Sequence, residues 1–302
     1  MSMVQYGLFP NCSNKCDFCL LKEREYLTKE QILHRINYII NNIPFIDWED
    51  KFSDGISLLG GELYFTTDID IQQAFLNLID TIIEKILSKS KNPYCKYSTV
   101  TNGIYNPEFL FKVMDKFQNT VGLDKVDLNF SYDLKYRFHS EESRLLCLEN
   151  IKKFNERYNS KISVQMILTQ NLINLYNNKE FEFNDFISNT INNNRFFLLY
   201  PHKIRTGKVL NDFFFKRNDF LNFIIEINNR YPEMADNFFS SVINSSKFKY
   251  SGYLDRDTED IHQQPVLEKE KATTLSECGH SILYQCYSDS DKCMLCDILE
   301  VY

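Results

Sequence analysis

The sequence predicts an α/β fold, a partial (β/α)6 TIM-like barrel with a small cysteine-rich carboxyl-terminal extension. Three observations lead there. Short β-rich apolar runs alternate with amphipathic stretches from residue 4 to about 230, and that alternation implies a parallel sheet. The β-α units number six, short of the eight that close a full barrel. Glycines and polar residues gather directly after the strand-like runs, which is where barrel enzymes build their sites.

The elements follow in order. Val4–Leu8 is the first strand, and a cysteine loop comes directly after it. Lys29–Asn42 puts Ile32, Ile36, Ile39 and Ile40 on one helical face, with Thr28 as N-cap and Gln31 at the capping-box position. Gly55–Leu59 is an apolar strand that ends in Gly60-Gly61-Glu62, and Asp70–Leu87 is a long helix. Lys96–Thr101 is a strand closed by Asn102-Gly103; Pro107–Phe117 is a helix with proline in its first turn. Lys125–Ser131 is a strand and Glu141–Tyr158 a helix. Lys161–Leu168 is a strand, with Thr169-Gln170-Asn171 after it. Phe181–Asn192 is helical, Arg195–Tyr200 a strand and Arg217–Asn228 a helix. Tyr231–Gln264 is irregular and polar, so the barrel is expected over residues 1–230 and the extension over 231–302.

Composition narrows the function. With 34 basic and 41 acidic residues the net charge is −7, which argues against a general nucleic-acid binder. Apolar residues are 43% and charged residues 25% of the 302, a globular balance rather than a disordered one. No stretch approaches the ~18 uncharged apolar residues of a membrane helix, and MSMVQYGLFP has neither the basic start nor the apolar run of a signal peptide. A cytoplasmic location is the expectation. There thiols stay reduced, so clustered cysteines point to metal rather than to disulfides.

Nine cysteines are present and seven of them fall in two clusters. Cys12, Cys16 and Cys19 have three and then two residues between them. Three thiolates so spaced can wrap one loop around an iron–sulfur cube, each on a different iron, leaving the fourth iron open to an outside ligand. Part of a zinc site is the other reading of the same residues. Cys95 precedes a strand and Cys147 sits in an apolar helical stretch, so both read as structural thiols.

The pattern Cys-x3-Cys-x-aromatic-Cys resembles the motif of the radical S-adenosylmethionine (radical SAM) enzymes, with Phe18 at the aromatic position. The resemblance covers residues ~4–230 and implies the partial barrel as core fold. It implies a [4Fe-4S] cluster on Cys12, Cys16 and Cys19, its free iron chelated by the methionine part of S-adenosylmethionine. Reductive cleavage of that cofactor would give methionine and a 5′-deoxyadenosyl radical that takes a hydrogen atom from a substrate. An electron donor such as flavodoxin or ferredoxin is implied as well.

Several strand ends resemble the family's cofactor site. Gly60-Gly61-Glu62 is similar to its Gly-Gly-Glu motif, which binds the methionine amino group, although Leu63 stands where proline is common. Ser131 and Asp133 lie two apart, on one side of an extended chain, and resemble residues that bond ribose hydroxyls. Arg144 resembles the arginine that pairs with the methionine carboxylate through its planar fork. Arg137 competes for that role, and a solvated helix arginine is the third reading. Thr169 would flank the adenine. Thr101-Asn102-Gly103 is frequent in the family and is also an ordinary turn, so no role is assigned to it.

Two features lie outside that site. His202, Lys203, Arg205 and Lys208 follow the sixth strand and read either as a receptor for a substrate carboxylate or phosphate or as solvated loop charges. Cys278, Cys286, Cys293 and Cys296 supply four thiolates, enough for a second [4Fe-4S] cluster or for a structural zinc. Family members that modify peptides carry auxiliary clusters in SPASM or twitch extensions, although this spacing is more compact than theirs. A ribosomal peptide or protein is therefore one expected substrate, and a nucleoside or other small molecule the alternative. A non-catalytic iron–sulfur or zinc redox sensor is the reading from another class.

Overall fold

The structure, a computed structural model, describes residues 2–14, 16, 19, 26–43, 53–199 and 217–235, with two short strands at 253–254 and 261–262. Six parallel strands form one sheet in chain order: β1 (Ser2–Gly7), β2 (Ser53–Leu59), β3 (Lys96–Thr101), β4 (Val126–Ser131), β5 (Ser163–Ile167) and β6 (Arg195–Leu199). The helices between them are α1 (Lys29–Asn42), α2 (Ile69–Ile82), α3 (Glu108–Thr120), α4 (Glu141–Tyr158), α5 (Gln170–Asn177) and α6 (Phe183–Asp185), and α7 (Arg217–Arg230) follows β6. This is the partial barrel that the alternation predicts. β1 and β6 do not pair with each other, so the sheet is not closed.

Local chemistry sets the boundaries. Thr28 and Gln31 form the expected capping box of α1, whose buried face is Ile32, Ile36 and Ile39. Asp68 caps α2 by accepting from the N–H groups of Asp70 and Ile71, and Ser140 caps α4 by accepting from Ser143. α4 ends at Asn159, which takes the left-handed conformation at φ 45°. Two expected helices are shorter than the sequence implies. α2 gives way to a π-helical turn at Ile83–Leu87, and the α6 segment does the same at Phe186–Thr190. α5 was not expected; Thr169 caps it, and its buried face is Leu172, Ile173 and Tyr176.

Register places the site. The strands pair with Gly7 beside Leu59, Thr101 beside Phe130, Ser131 beside Gln165 and Ile167 beside Leu199. All six carboxyl ends therefore lie at one end of the sheet. Along β3 burial alternates, with Tyr97, Thr99 and Thr101 on the buried face. Tyr97 stacks on Phe117 of α3 with ring centroids 4.9 Å apart, so that face looks toward the helices. Val100 and Asn102 take the opposite phase. The core continues past the expected boundary at residue 230, because Met234 and Ala235 are buried in it. Beyond it the described residues are β7 (Tyr253–Leu254) and β8 (Ile261–His262), an antiparallel pair.

Candidate functional site

The site begins at the loop after β1. Asn11 closes its base: the side-chain amide donates to the Leu27 carbonyl at 3.0 Å and accepts from the Leu27 N–H at 3.0 Å. Tyr26 adds a hydrogen bond from its hydroxyl to the Cys12 carbonyl. The far side of the loop rests on the turn after β2. Gly61 N–H donates to the Phe9 carbonyl at 2.8 Å and Glu62 N–H to the Asn11 carbonyl at 2.8 Å. A Cβ at Gly61 would sit 2.2 Å from the Asn11 oxygen, and one at Gly60 2.5 Å from the Phe9 oxygen. The close approach that requires glycine here is made by the loop's own backbone.

Two sulfurs of this loop each accept from two N–H donors. Cys12 Sγ accepts from the Asn14 N–H at 3.4 Å and from Asn102 Nδ2 at 3.5 Å. Cys16 Sγ accepts from Asn14 Nδ2 at 3.2 Å and from Arg137 Nη1 at 3.8 Å. Burial pushes the Cys12 thiol up to about 11 against the Asn14 N–H, and the Cys16 thiol up to about 12 against the Arg137 guanidinium. Thiols so buried need positive charge close by before they ionise, and metal ions supply it. Donors aimed at sulfur suit thiolate ligands. Among the described residues no three Cys, His, Asp or Glu side chains converge on one ion. Three thiols spaced along one loop, two of them with N–H donors on sulfur, fit the ligand set of an iron–sulfur cluster.

Glu62 is fully buried, and its carboxylate accepts several bonds from protein donors. Thr101 Oγ1 donates to both oxygens at 2.9 and 3.0 Å, Asn102 N–H donates at 2.7 Å and Tyr64 N–H at 3.3 Å. Thr101 lies on the helix-facing side of β3, so Glu62 ties the ends of β2 and β3 together behind the loop. Desolvation pushes this carboxyl up to about 7, against the hydrogen bonds from Asn102, Thr101 and Tyr64.

Asp133 and the arginines also have protein partners. Asp133 is buried, but Arg137 Nε donates to Oδ2 at 2.8 Å and Ile167 N–H to Oδ1 at 3.0 Å. Each oxygen of the side chain read as a partner for ribose accepts one bond from protein. Arg144, read as a carboxylate clamp, bonds Glu141 through Nε at 2.7 Å and the Tyr132 hydroxyl through Nη1 at 2.8 Å. Of the two arginines, Arg137 is the one that reaches the cysteine loop. Ser131 is buried at the end of β4. The Thr169 hydroxyl caps α5 by accepting from Leu172 N–H at 3.2 Å, and with Asp133 and Ile167 it lines a small cleft beside β5.

The structure brings together Cys12, Cys16, Cys19, Gly60, Gly61, Glu62 and Asp133. Asn14 and Asn102 join them without having been singled out. Asn102 could have been found from its place after β3; nothing in the sequence marks Asn14 apart from its place inside the loop. Phe18, the basic residues 202–208 and Cys278, Cys286, Cys293 and Cys296 lie outside the described residues. Cys95 and Cys147 are buried, as expected of structural thiols. Another cavity, of about 260 Å³, opens at the opposite end of the sheet, lined by Lys96, Val126, Ile162 and Arg195 among others. It lies at the other end of the strands from Cys12, Cys16 and Cys19.

No family model and no curated protein matches this sequence. In three dimensions the chain is similar to Streptococcus suis SuiB bound to S-adenosylmethionine, with a TM-score of 0.53 and 14% identity, over 96% of this chain and 75% of that one. It is also similar to anSMEcpe with bound AdoMet and the Cp18Cys peptide, with a TM-score of 0.52 and 15% identity, over 81% of this chain and 65% of that one. The chain shares their fold. It spans 46% of another SuiB chain and 65% of anSMEcpe, about half to two thirds of their length. No helix among the described residues is long and apolar enough to cross a membrane.

Proposed function

We propose that this chain is a radical SAM enzyme whose [4Fe-4S] cluster is held by Cys12, Cys16 and Cys19. The observation that carries this is the cysteine loop itself. It stands at the carboxyl end of β1 in an open six-stranded parallel barrel, with N–H donors on Cys12 and Cys16. The likeness of fold to two chains solved with S-adenosylmethionine supports it. When bound, the cluster supplies an electron to the sulfonium of S-adenosylmethionine, the chemistry that yields methionine and a 5′-deoxyadenosyl radical.

The chain's own residues hold and shield that chemistry. Asn11 and Leu27 fix the loop's base, and Gly61 and Glu62 fix its far side. The backbone of 60–62 is the part of the Gly-Gly-Glu motif offered to the methionine amino group, while the Glu62 side chain braces it from behind. Ser131 and Thr169 are assigned to the rest of the cofactor, with Phe18 beside the cluster, while the Arg144 fork is engaged by Glu141 and Tyr132. A peptide or protein is the substrate class we favour, because anSMEcpe of the same fold was solved with a peptide bound. Cys278, Cys286, Cys293 and Cys296 are assigned a second cluster or a zinc ion. A cytoplasmic location and a flavodoxin- or ferredoxin-like reductant complete the reading.

One experiment tests it. The protein is reconstituted anaerobically with iron and sulfide, reduced with dithionite and incubated with S-adenosylmethionine, and 5′-deoxyadenosine is measured. Its formation by the natural chain, and its loss in a variant with Cys12, Cys16 and Cys19 changed to alanine, is the expected result. A natural chain that binds four irons at this loop and forms none would refute the proposal. Iron retained by the triple variant identifies the second site as a cluster; zinc alone identifies it as structural.

A further inference from the structure

Arg137 is a largely buried cation beside the cysteine loop. Its side chain is 12% exposed and that of Asp133 is 5% exposed, with Nε and Oδ2 at 2.8 Å. Asp133 is itself anchored, because its Oδ1 accepts the Ile167 N–H of β5 at 3.0 Å. The guanidinium is thus fixed from behind by a carboxylate that cannot swing away. Its Nη1 points to Cys16 Sγ at 3.8 Å. The backbone joins in: the Arg137 carbonyl accepts Asn14 Nδ2 at 2.9 Å, and the same amide lies 3.2 Å from Cys16 Sγ. Residues more than a hundred positions apart in sequence are therefore clamped around one sulfur.

We propose that Arg137 is a positioning residue that holds Cys16 Sγ and raises the potential at which the cluster on this loop accepts an electron. The inference rests on the reading of Cys12, Cys16 and Cys19 as cluster ligands. The physics is direct. Adding an electron makes the cluster and its thiolates more negative, and a fixed cation with an N–H aimed at one sulfur favours that state. Asp133 offsets part of the charge, but it engages Nε while Nη1 is the nitrogen aimed at sulfur, so the cation is the group the sulfur meets. Arg144 supplies the contrast, since its fork is engaged by Glu141 and Tyr132.

The test is a redox titration of the reconstituted full chain, followed by electron paramagnetic resonance, in the natural protein and in Arg137→Gln, Arg137→Lys and Arg144→Gln. Arg137→Gln keeps the backbone bond to Asn14 and removes only the guanidinium. Its ratio of reduced to oxidised cluster at a fixed solution potential should fall about ten-fold. Arg137→Lys keeps the charge without the fork and should fall less, while Arg144→Gln should titrate with the natural protein. An unchanged potential in Arg137→Gln at full iron content overturns the inference and leaves the cluster assignment standing. Loss of the cluster from both Arg137 variants, with circular dichroism unchanged, overturns it too, because the residue would then hold the loop without tuning it. A natural chain that binds no four-iron cluster fails the functional reading instead.

Discussion

The two ends of one sheet differ more than any two elements of this molecule. At the carboxyl ends of the strands Glu62, Thr101, Asn102, Ser131, Asp133 and Thr169 are all buried. At the amino ends Lys161 and Arg195 stand in water and Lys96 is half-buried, around an open cavity, and the buried polar side chains there, Ser163 and Asn194, are uncharged. Burying a polar group is costly unless its hydrogen bonds are made. At the carboxyl end most of them are made, by Thr101 and Asn102 on Glu62 and by Arg137 and Ile167 on Asp133. The difference teaches where geometry is held tightly: one end is a rim and the other a scaffold for the cysteine loop.

The largest effect expected separates two glycines of the same strand region. Gly61 follows β2 and Gly55 lies near its amino end. Gly61→Ala would drive a Cβ to 2.2 Å from the Asn11 carbonyl and 2.4 Å from the Pro10 carbonyl, both just before Cys12. It should abolish iron binding by the loop while much of the barrel survives. Gly55→Ala meets the Lys96 carbonyl at 1.9 Å with φ at +118°, which should cost about 2 kcal/mol or more of stability. Iron per folded chain should nevertheless stay near that of the natural protein. Iron analysis alongside thermal unfolding checks the pair, and equal iron loss in both would erase the distinction between the ends.

A smaller effect belongs to the carboxyl end alone. The Glu62 carboxyl is raised to about 7 in the fold from an ordinary 4.5, chiefly by desolvation. A raised carboxyl contributes stability that is fully present below 4.5 and is lost as pH rises through about 7, because the folded chain holds the proton longer. Glu62→Gln stays neutral across that window. In protein without its cluster, the stability of the natural chain relative to this variant should therefore fall between pH 5 and pH 8, by on the order of 3 kcal/mol. Urea titrations at the two pH values measure it, and a difference that does not change with pH would mean that the carboxylate is better solvated than its burial implies.

Much of the fold is legible because its signals are local. The α1 capping box lies where Thr28 and Gln31 put it, and β3 and α4 keep the bounds Lys96–Thr101 and Glu141–Tyr158 expected of them. α5 escaped because eight residues give little periodicity to read, although Thr169 is a good cap. The π-helical ends at Ile83–Leu87 and Phe186–Thr190 have the same apolar spacing as a helix, so sequence cannot tell them apart. For the site, the cysteines and the Gly-Gly-Glu turn declare themselves through spacing. Who bonds whom does not. Asn102 reaches Cys12 from 90 positions away and Arg137 reaches Cys16 from 121, pairings that only the register of β1 through β4 creates.

The smallest effect compares the two ends of β3 directly. Lys96 opens the strand and lines the rim cavity. Changing it to glutamine removes a charge next to water and should alter stability by no more than about 0.5 kcal/mol. Thr101 closes the same strand; its hydroxyl donates to Glu62 and meets the Tyr105 hydroxyl at 2.7 Å. Thr101→Val keeps the shape and leaves a buried carboxylate short of a donor, at a cost of about 1–3 kcal/mol. Denaturant midpoints at one pH resolve a gap of that size. Were Lys96→Gln to cost as much as Thr101→Val, polar order would run the whole length of the strand, and the carboxyl end would lose its claim to be the part of the barrel built around the loop.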